Sequence, residues 1–165
     1  IYSDNEADLA LLKIEDKDYK QPKYIPYSIR KKISNLGEEI YTLGYPRNDN
    51  DIVYGKGYLS AQTGYERDSN SYQIQISANP GYSGAPIFNE NAELIGVIST
   101  RQKQAEGVAF AVKSNKIFDI IDAANEATAK SITIKLPRQS AIRKSNRKNQ
   151  LDNLKNYMYS VRSFN

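Results

Sequence analysis

Ser83 stands in "NPGYSGAPIF" (79–88), a lone hydroxyl among glycines and prolines just before an apolar run. A serine hydroxyl becomes a nucleophile only when a base takes its proton and donors stabilise the oxyanion that forms on the substrate. Gly81 and Gly84 allow a backbone in which the amides of Gly81 and Ser83 point into one small hole. The same residues also make an ordinary turn, so this short motif does not decide between nucleophile and turn residue.

The other components of such a site are constrained by what the chain lacks. None of its 165 residues is His or Cys, which removes the commonest general base, thiol nucleophiles, disulfides and Cys-type metal sites. No metal and no cofactor is expected. Serine, imidazole and carboxylate occur in three chain orders in known triads. Two of them need a His within stretches that this chain covers, whereas the order His, Asp, Ser lets the His lie before residue 1. A segment ahead of Ile1 is therefore expected, and targeting cannot be read from these residues.

Positioning such groups requires a rigid frame, and the punctuation of the chain describes one. "DLALLKI" (8–14) reads as a buried strand, followed by a Pro-broken polar loop. "EEIYTLGYP" (38–46), "IVYGKGYLSAQTGY" (52–65), "SYQIQISAN" (71–79) and "GVAFAV" (107–112) read as strands, and "APIFNENAELIGVIST" (85–100) as a hairpin turning at "NEN". Many short strands with Gly-bearing turns predict a barrel or sandwich. Ile117, Ile120, Ile121 and Ala124 recur at helical spacing after Ser114 or Asn115, which predicts a closing helix over 114–127. No run reaches the roughly 18 apolar residues of a membrane-spanning helix.

In family order, the blocks "ADLALLKI", "LGEEIYTLGYP", "GKGYLSA", "YQIQISANPGYSGAPIFNENAELIGVIST" and "GVAFAVKSNKIFDII" resemble the trypsin-fold serine peptidases, particularly the bacterial HtrA/Deg-like branch. The resemblance covers about residues 1–122. It implies an all-β, trypsin-like double β-barrel with the second barrel complete and the first mostly missing, then a C-terminal helix and basic tail. Residues 1–127 would be the C-terminal half of the peptidase domain and 128–165 an extension.

By the same resemblance, Ser83 is the nucleophile and Asp8 the carboxylate behind the imidazole. The amides of Gly81 and Ser83 form the oxyanion hole. Ser77, Ala78, Asn79, Ile98, Ser99, Thr100, Val108, Ala109 and Phe110 contact substrate. None of these last residues is acidic, so small or aliphatic side chains are expected before the scissile bond. The implied partners are a protein or peptide substrate and the missing N-terminal barrel segment, and the implied location is periplasmic or secreted. The chain departs from the family where Tyr82 replaces a small polar residue and Ala85 a glycine. A catalytically inactive peptide-binding module is the alternative.

Charge is divided unevenly. Residues 130–165 hold nine Lys/Arg against Asp152, net +8, leaving −4 for residues 1–129 of a chain whose total is +4. "KLPRQSAIRKSNRK" (135–148) reads as a solvated linker that could meet an anionic partner, whereas "LDNLKNYMYSVRSFN" (151–165) has enough apolar residues to dock as a short helix or strand. The 13 tyrosines fall mostly in strand-like runs, where aromatics are packing residues, so nucleic acid is not an expected partner. A separate segment or the tail strand "YMYSVRS" (157–163) is expected to cover the open edge of the first barrel.

Overall fold

The computed structural model describes residues 2–46, 51–76, 81–99, 108–128 and 136–161. Nine strands are present among them: β1 Tyr2–Asp4, β2 Leu9–Leu11, β3 Ser28–Ile29, β4 Glu39–Gly44, β5 Val53–Ala61, β6 Ser71–Ile76, β7 Pro86–Asn89, β8 Glu93–Ser99 and β9 Ala109–Lys113. Two helices follow, α1 Asn115–Thr128 and α2 Arg147–Leu154. Between residues 38 and 128 the predicted strand runs and closing helix agree with these elements to within a few residues, with 77–79, 100 and 107 lying outside the described residues.

Sheet order is β3-β8-β7-β4-β5-β6-β9, and β8 also pairs with β9. That pairing closes a ring of six antiparallel neighbours, β8-β7-β4-β5-β6-β9, so the architecture is a barrel rather than a sandwich. Side chains alternate between its two faces with the period of two that a strand imposes. Ile40, Ile74 and Ile87 fill the interior, whereas their neighbours Tyr41 and Phe88 point outward into a second apolar cluster with Ile142 and Leu154.

That outer cluster corrects the reading of the basic tail. Residues up to Gln150 are not wholly a solvated linker: α2 lies on the outer face of β4 and β7, and it begins in "RKNQ", which the sequence placed in the linker, while Leu151, Leu154 and Met158 dock as the last stretch was expected to. Gln150 explains the docking. Its side chain is buried, donates to Glu90 O (3.0 Å) and Ile142 O (3.3 Å), and accepts from the Tyr41 hydroxyl (3.2 Å) and Arg147 (2.8 Å). Both polar atoms of the Gln150 amide thus have partners, without which their desolvation would cost roughly 1–3 kcal/mol. Arg147 stacks over Tyr41 with its guanidinium carbon 3.6 Å from the ring centroid.

Burial pushes the Tyr41 phenol up to about 12, with Arg147 opposing. An unfolded chain releases that proton near pH 10, so the folded form is favoured fully below pH 10 and loses this advantage as pH rises toward 12. The shift is worth about 2–3 kcal/mol. Urea midpoints measured from pH 8 to 12 are expected to fall above pH 10, and Tyr41→Phe is expected to flatten that fall. An equally steep fall in the variant would assign the alkaline loss to other groups.

Two further expectations change. "DLALLKI" is not a buried strand: only Leu9–Leu11 is extended, its side chains are at most half-buried, and Leu12 and Ile14 are 61% and 46% exposed. β2 pairs only with β1 among the described residues, and this hairpin lies against α1 rather than within a closed wall. The tail residues 158–161 form no strand and do not pair with it; Tyr157 and Tyr159 pack instead against the loop around Tyr19, Tyr24 and Tyr27.

Candidate active site

The loop bearing Ser83 joins β6 to β7 and is fastened to the end of β8. Gly84 N donates to Ile98 O and Ile98 N donates to Ala85 O, each at 2.8 Å, while Ala85 N closes a turn onto Tyr82 O at 2.9 Å. Gly81 and Gly84 have φ of +101° and +85°, the left-handed region that glycine enters at low cost. Ser83 is exposed at the tip of this turn. The Gly84 and Ala85 amides are thus committed within the frame.

Tyr82 points the other way. Its side chain is 1% exposed and packs in the barrel interior with Ile40, Ile87 and Ile98, where burial pushes its phenol up. Gly44 makes the room: a Cβ there would meet Tyr82 Cδ1 and Ala85 Cβ at 3.1 Å. The bulky ring therefore anchors the loop from beneath and does not stand over the cleft. Alternation across the turn, with Tyr82 inward and Ser83 outward, accounts for how both residues fit.

Asp8 reaches the same strand end from the β1–β2 hairpin. Asp4 Oδ1 accepts from the amides of Glu6 and Ala7, each at 2.9 Å, and thereby holds the turn between the paired residues Asp4 and Leu9. Asp8 closes that turn with φ +54°, a conformation Asp tolerates better than most residues. Its carboxylate accepts a 2.6 Å hydrogen bond from the Ser99 hydroxyl. Consecutive residues of β8 thus hold the two elements, Ile98 the serine loop and Ser99 the Asp8 carboxylate.

Ser99 was expected only as a substrate contact. A hydroxyl at the end of the apolar strand "ELIGVIS" was the available signal, because a buried hydroxyl needs a partner. The side chains of Ile98 and Ala109 lie inside the barrel, Phe110 is buried on the opposite face of β9 against Tyr65, and Val108 is half-buried. Both backbone groups of Ile98 are bound to the serine loop. Ser77, Ala78, Asn79 and Thr100 lie outside the described residues. Among the described residues no group of three or more acidic side chains could hold a metal ion.

The geometry provides an exposed serine on a glycine turn and a carboxylate fixed by a hydroxyl, with no imidazole in the 165 residues to connect them. Comparison with known proteins bears on this arrangement. A profile described as "Trypsin-like peptidase domain" matches residues 1–97. The chain is 34% identical over 127 residues to a "Probable periplasmic serine endoprotease DegP-like" of Marinomonas sp., covering 73% of this chain and 26% of that protein. It is 33% identical over 135 residues to a "Serine protease HtrA-like" of Staphylococcus haemolyticus, covering 73% and 20%. Similarity extends to the "Protease Do-like 2, chloroplastic" of Arabidopsis thaliana, 28% over 122 residues, covering 68% and 19%.

The chain thus spans about a quarter or less of the length of these curated relatives. In three dimensions it is similar to the inactive form of a serine mutant of the M. tuberculosis protein Rv3671c, with TM-score 0.50 and 18% identity, over 64% of this chain and 55% of that one. At that identity the likeness speaks to the fold alone.

Proposed function

Because the chain belongs to the trypsin-like peptidase domain family, we propose that it is the nucleophile-bearing part of a serine endopeptidase domain. Ser83 is the nucleophile, Asp8 the carboxylate behind the imidazole, and the Gly81 and Ser83 amides the oxyanion hole. Residues 1–127 form the peptidase part and 128–165 extend it. The observation that carries this reading is the fastening of the Ser83 loop and the Asp8 carboxylate to adjacent residues of β8.

The imidazole comes from polypeptide outside these residues, since they contain no His. Its Nδ1–H donates to Asp8, which fixes the tautomer and leaves Nε2 to take the Ser83 proton as Oγ attacks the substrate carbonyl. The oxyanion is stabilised by the two loop amides, then the imidazolium protonates the leaving amine, and an acyl-enzyme remains for water to cleave. The Ser99 hydroxyl bond holds the Asp8 carboxylate in register. Substrate backbone adds beside the segment 98–100, through groups other than those of Ile98, both of which are bound to the serine loop. Small or aliphatic side chains are favoured before the scissile bond, and the relatives' periplasmic label supports a location outside the cytoplasm.

The absence of His in the chain favours one second reading, a peptide-binding module without catalysis. A fluorophosphonate probe separates them. Applied to the natural protein that carries these residues, it is expected to give one adduct by intact mass, lost in Ser83→Ala. A folded protein that takes no adduct overturns catalysis and leaves the binding module.

A further inference from the structure

Residues 157–161 of the tail lie beside the candidate nucleophile. A pocket of about 450 Å³ is lined on one side by Gly81, Ser83 and Gly84 and on the other by residues 157–161. Its floor comes from the end of β4 and the start of β7, Leu43 to Tyr45 and Ala85 to Pro86. No lining residue is charged, and the volume falls in the range of small-ligand sites.

The sheet order defines which side of Ser83 this is. β7 lies between β8 and β4, and the serine loop leads directly into β7. One flank of the loop is fastened to β8 through Gly84 and Ile98. The pocket opens on the other flank, toward β4. A peptide whose acyl side runs along the β8 flank must, on crossing Ser83, continue into the β4 flank.

The tail wall is held in place rather than draped across the surface. Leu154 is fully buried in the outer cluster, and Gln150 anchors α2 to three neighbours. Beyond α2, the Tyr157 hydroxyl donates to Tyr24 O at 2.9 Å and its ring meets Tyr27 edge-on at 6.1 Å. Tyr159 meets Tyr19 in the same manner at 6.5 Å. Met158 and Val161 are thereby presented to the pocket as apolar surface.

We propose that residues 157–161 complete a specificity subsite for the residue that follows the scissile bond, and that this subsite takes a large apolar or aromatic side chain. The proposal rests on the reading of Ser83 as nucleophile and adds to it a role for the C-terminal extension. The lining offers hydroxyls but no group of opposite charge, so an acidic or basic side chain entering there would lose hydration without an ionic partner, and the subsite disfavours both. The extension is then part of the substrate-binding surface as well as a cover for the barrel's outer face.

Met158 is the single methionine of the chain, so methyl-labelled Met gives one reporter in the pocket wall. The full chain is titrated with Phe-Ala-amide, Leu-Ala-amide and Asp-Ala-amide, whose free amino termini mimic the released fragment. The first two are expected to shift the Met158 methyl saturably, with affinity for the Asp peptide weaker by at least about tenfold. Val161→Asp, at an exposed position, is expected to abolish the apolar shifts while leaving the remaining spectrum in place. An unmoved methyl, or equal shifts from all three peptides, overturns the subsite. The readout needs no catalysis: apolar peptide binding without a fluorophosphonate adduct would reject the nucleophile alone, and an adduct with a silent methyl would reject the subsite alone.

Discussion

In the natural protein that carries these residues, Ser83→Ala is expected to lower kcat by about 10⁶-fold and Asp8→Asn by about 10⁴-fold, with KM changed little in either. The inequality follows from what each side chain does. Without the Ser83 hydroxyl no acyl-enzyme forms, and only binding and the oxyanion donors remain. Asn at position 8 keeps an oxygen that can accept from Ser99, but presents an amide donor toward the imidazole. The ring then holds its proton on Nε2, facing Ser83, and cannot accept another there. Steady-state kinetics on one peptide substrate measure both losses. If Asp8→Asn stays within tenfold of the parent, Asp8 is there for its turn, whose φ of +54° suits Asp or Asn alike.

Gly57→Ala is expected to produce the largest loss of stability. Gly57 pairs with Ile76 where β5 crosses β6, and a Cβ built on it would lie 1.8 Å from Gln75 O and 2.8 Å from the Gln75 carbonyl carbon. These are backbone atoms of the adjoining strand, so no rotamer change relieves the clash. The strands must separate at the point where the ring continues from β5 toward β6 and β9. Overpacking of this kind costs about 3 kcal/mol or more, a large share of the roughly 5–15 kcal/mol that stabilises a typical domain. Chemical denaturation is expected to show a collapsed midpoint or no cooperative transition. A midpoint within about 0.5 kcal/mol of the parent would show that the strands part freely there.

Much of the frame was legible before the fold was seen. The strand runs between 38 and 113 and the helix after Ser114 follow from patterns that act over a few residues: alternation, β-branched and aromatic content, and glycine or proline at the breaks. The left-handed φ at Gly81 and Gly84 follows in the same way from residue type and position in a tight turn. Two parts misled. "DLALLKI" carries enough apolar residues for a buried strand, yet Leu12 and Ile14 are exposed among the described residues, because burial depends on what lies opposite. The charge of residues 135–148 suggested a linker into which α2 reaches back, since only Gln150 and Leu154 of that helix are buried and they give no periodic apolar face.

The sequence by itself determined the order of Asp8 before Ser83, the absence of any imidazole in these residues, and the positions of the turns that interrupt the strands. Only the tertiary structure decided that Tyr82 turns into the barrel while Ser83 faces out, that Ser99 meets Asp8 across 91 positions, and that residues 157–161 line the Ser83 pocket. The difference is one of range. Local sterics and side-chain period are written in neighbouring residues, whereas these three contacts exist only after β8 and β9 close the ring and give the hairpin, the serine loop and the tail a common surface to meet on.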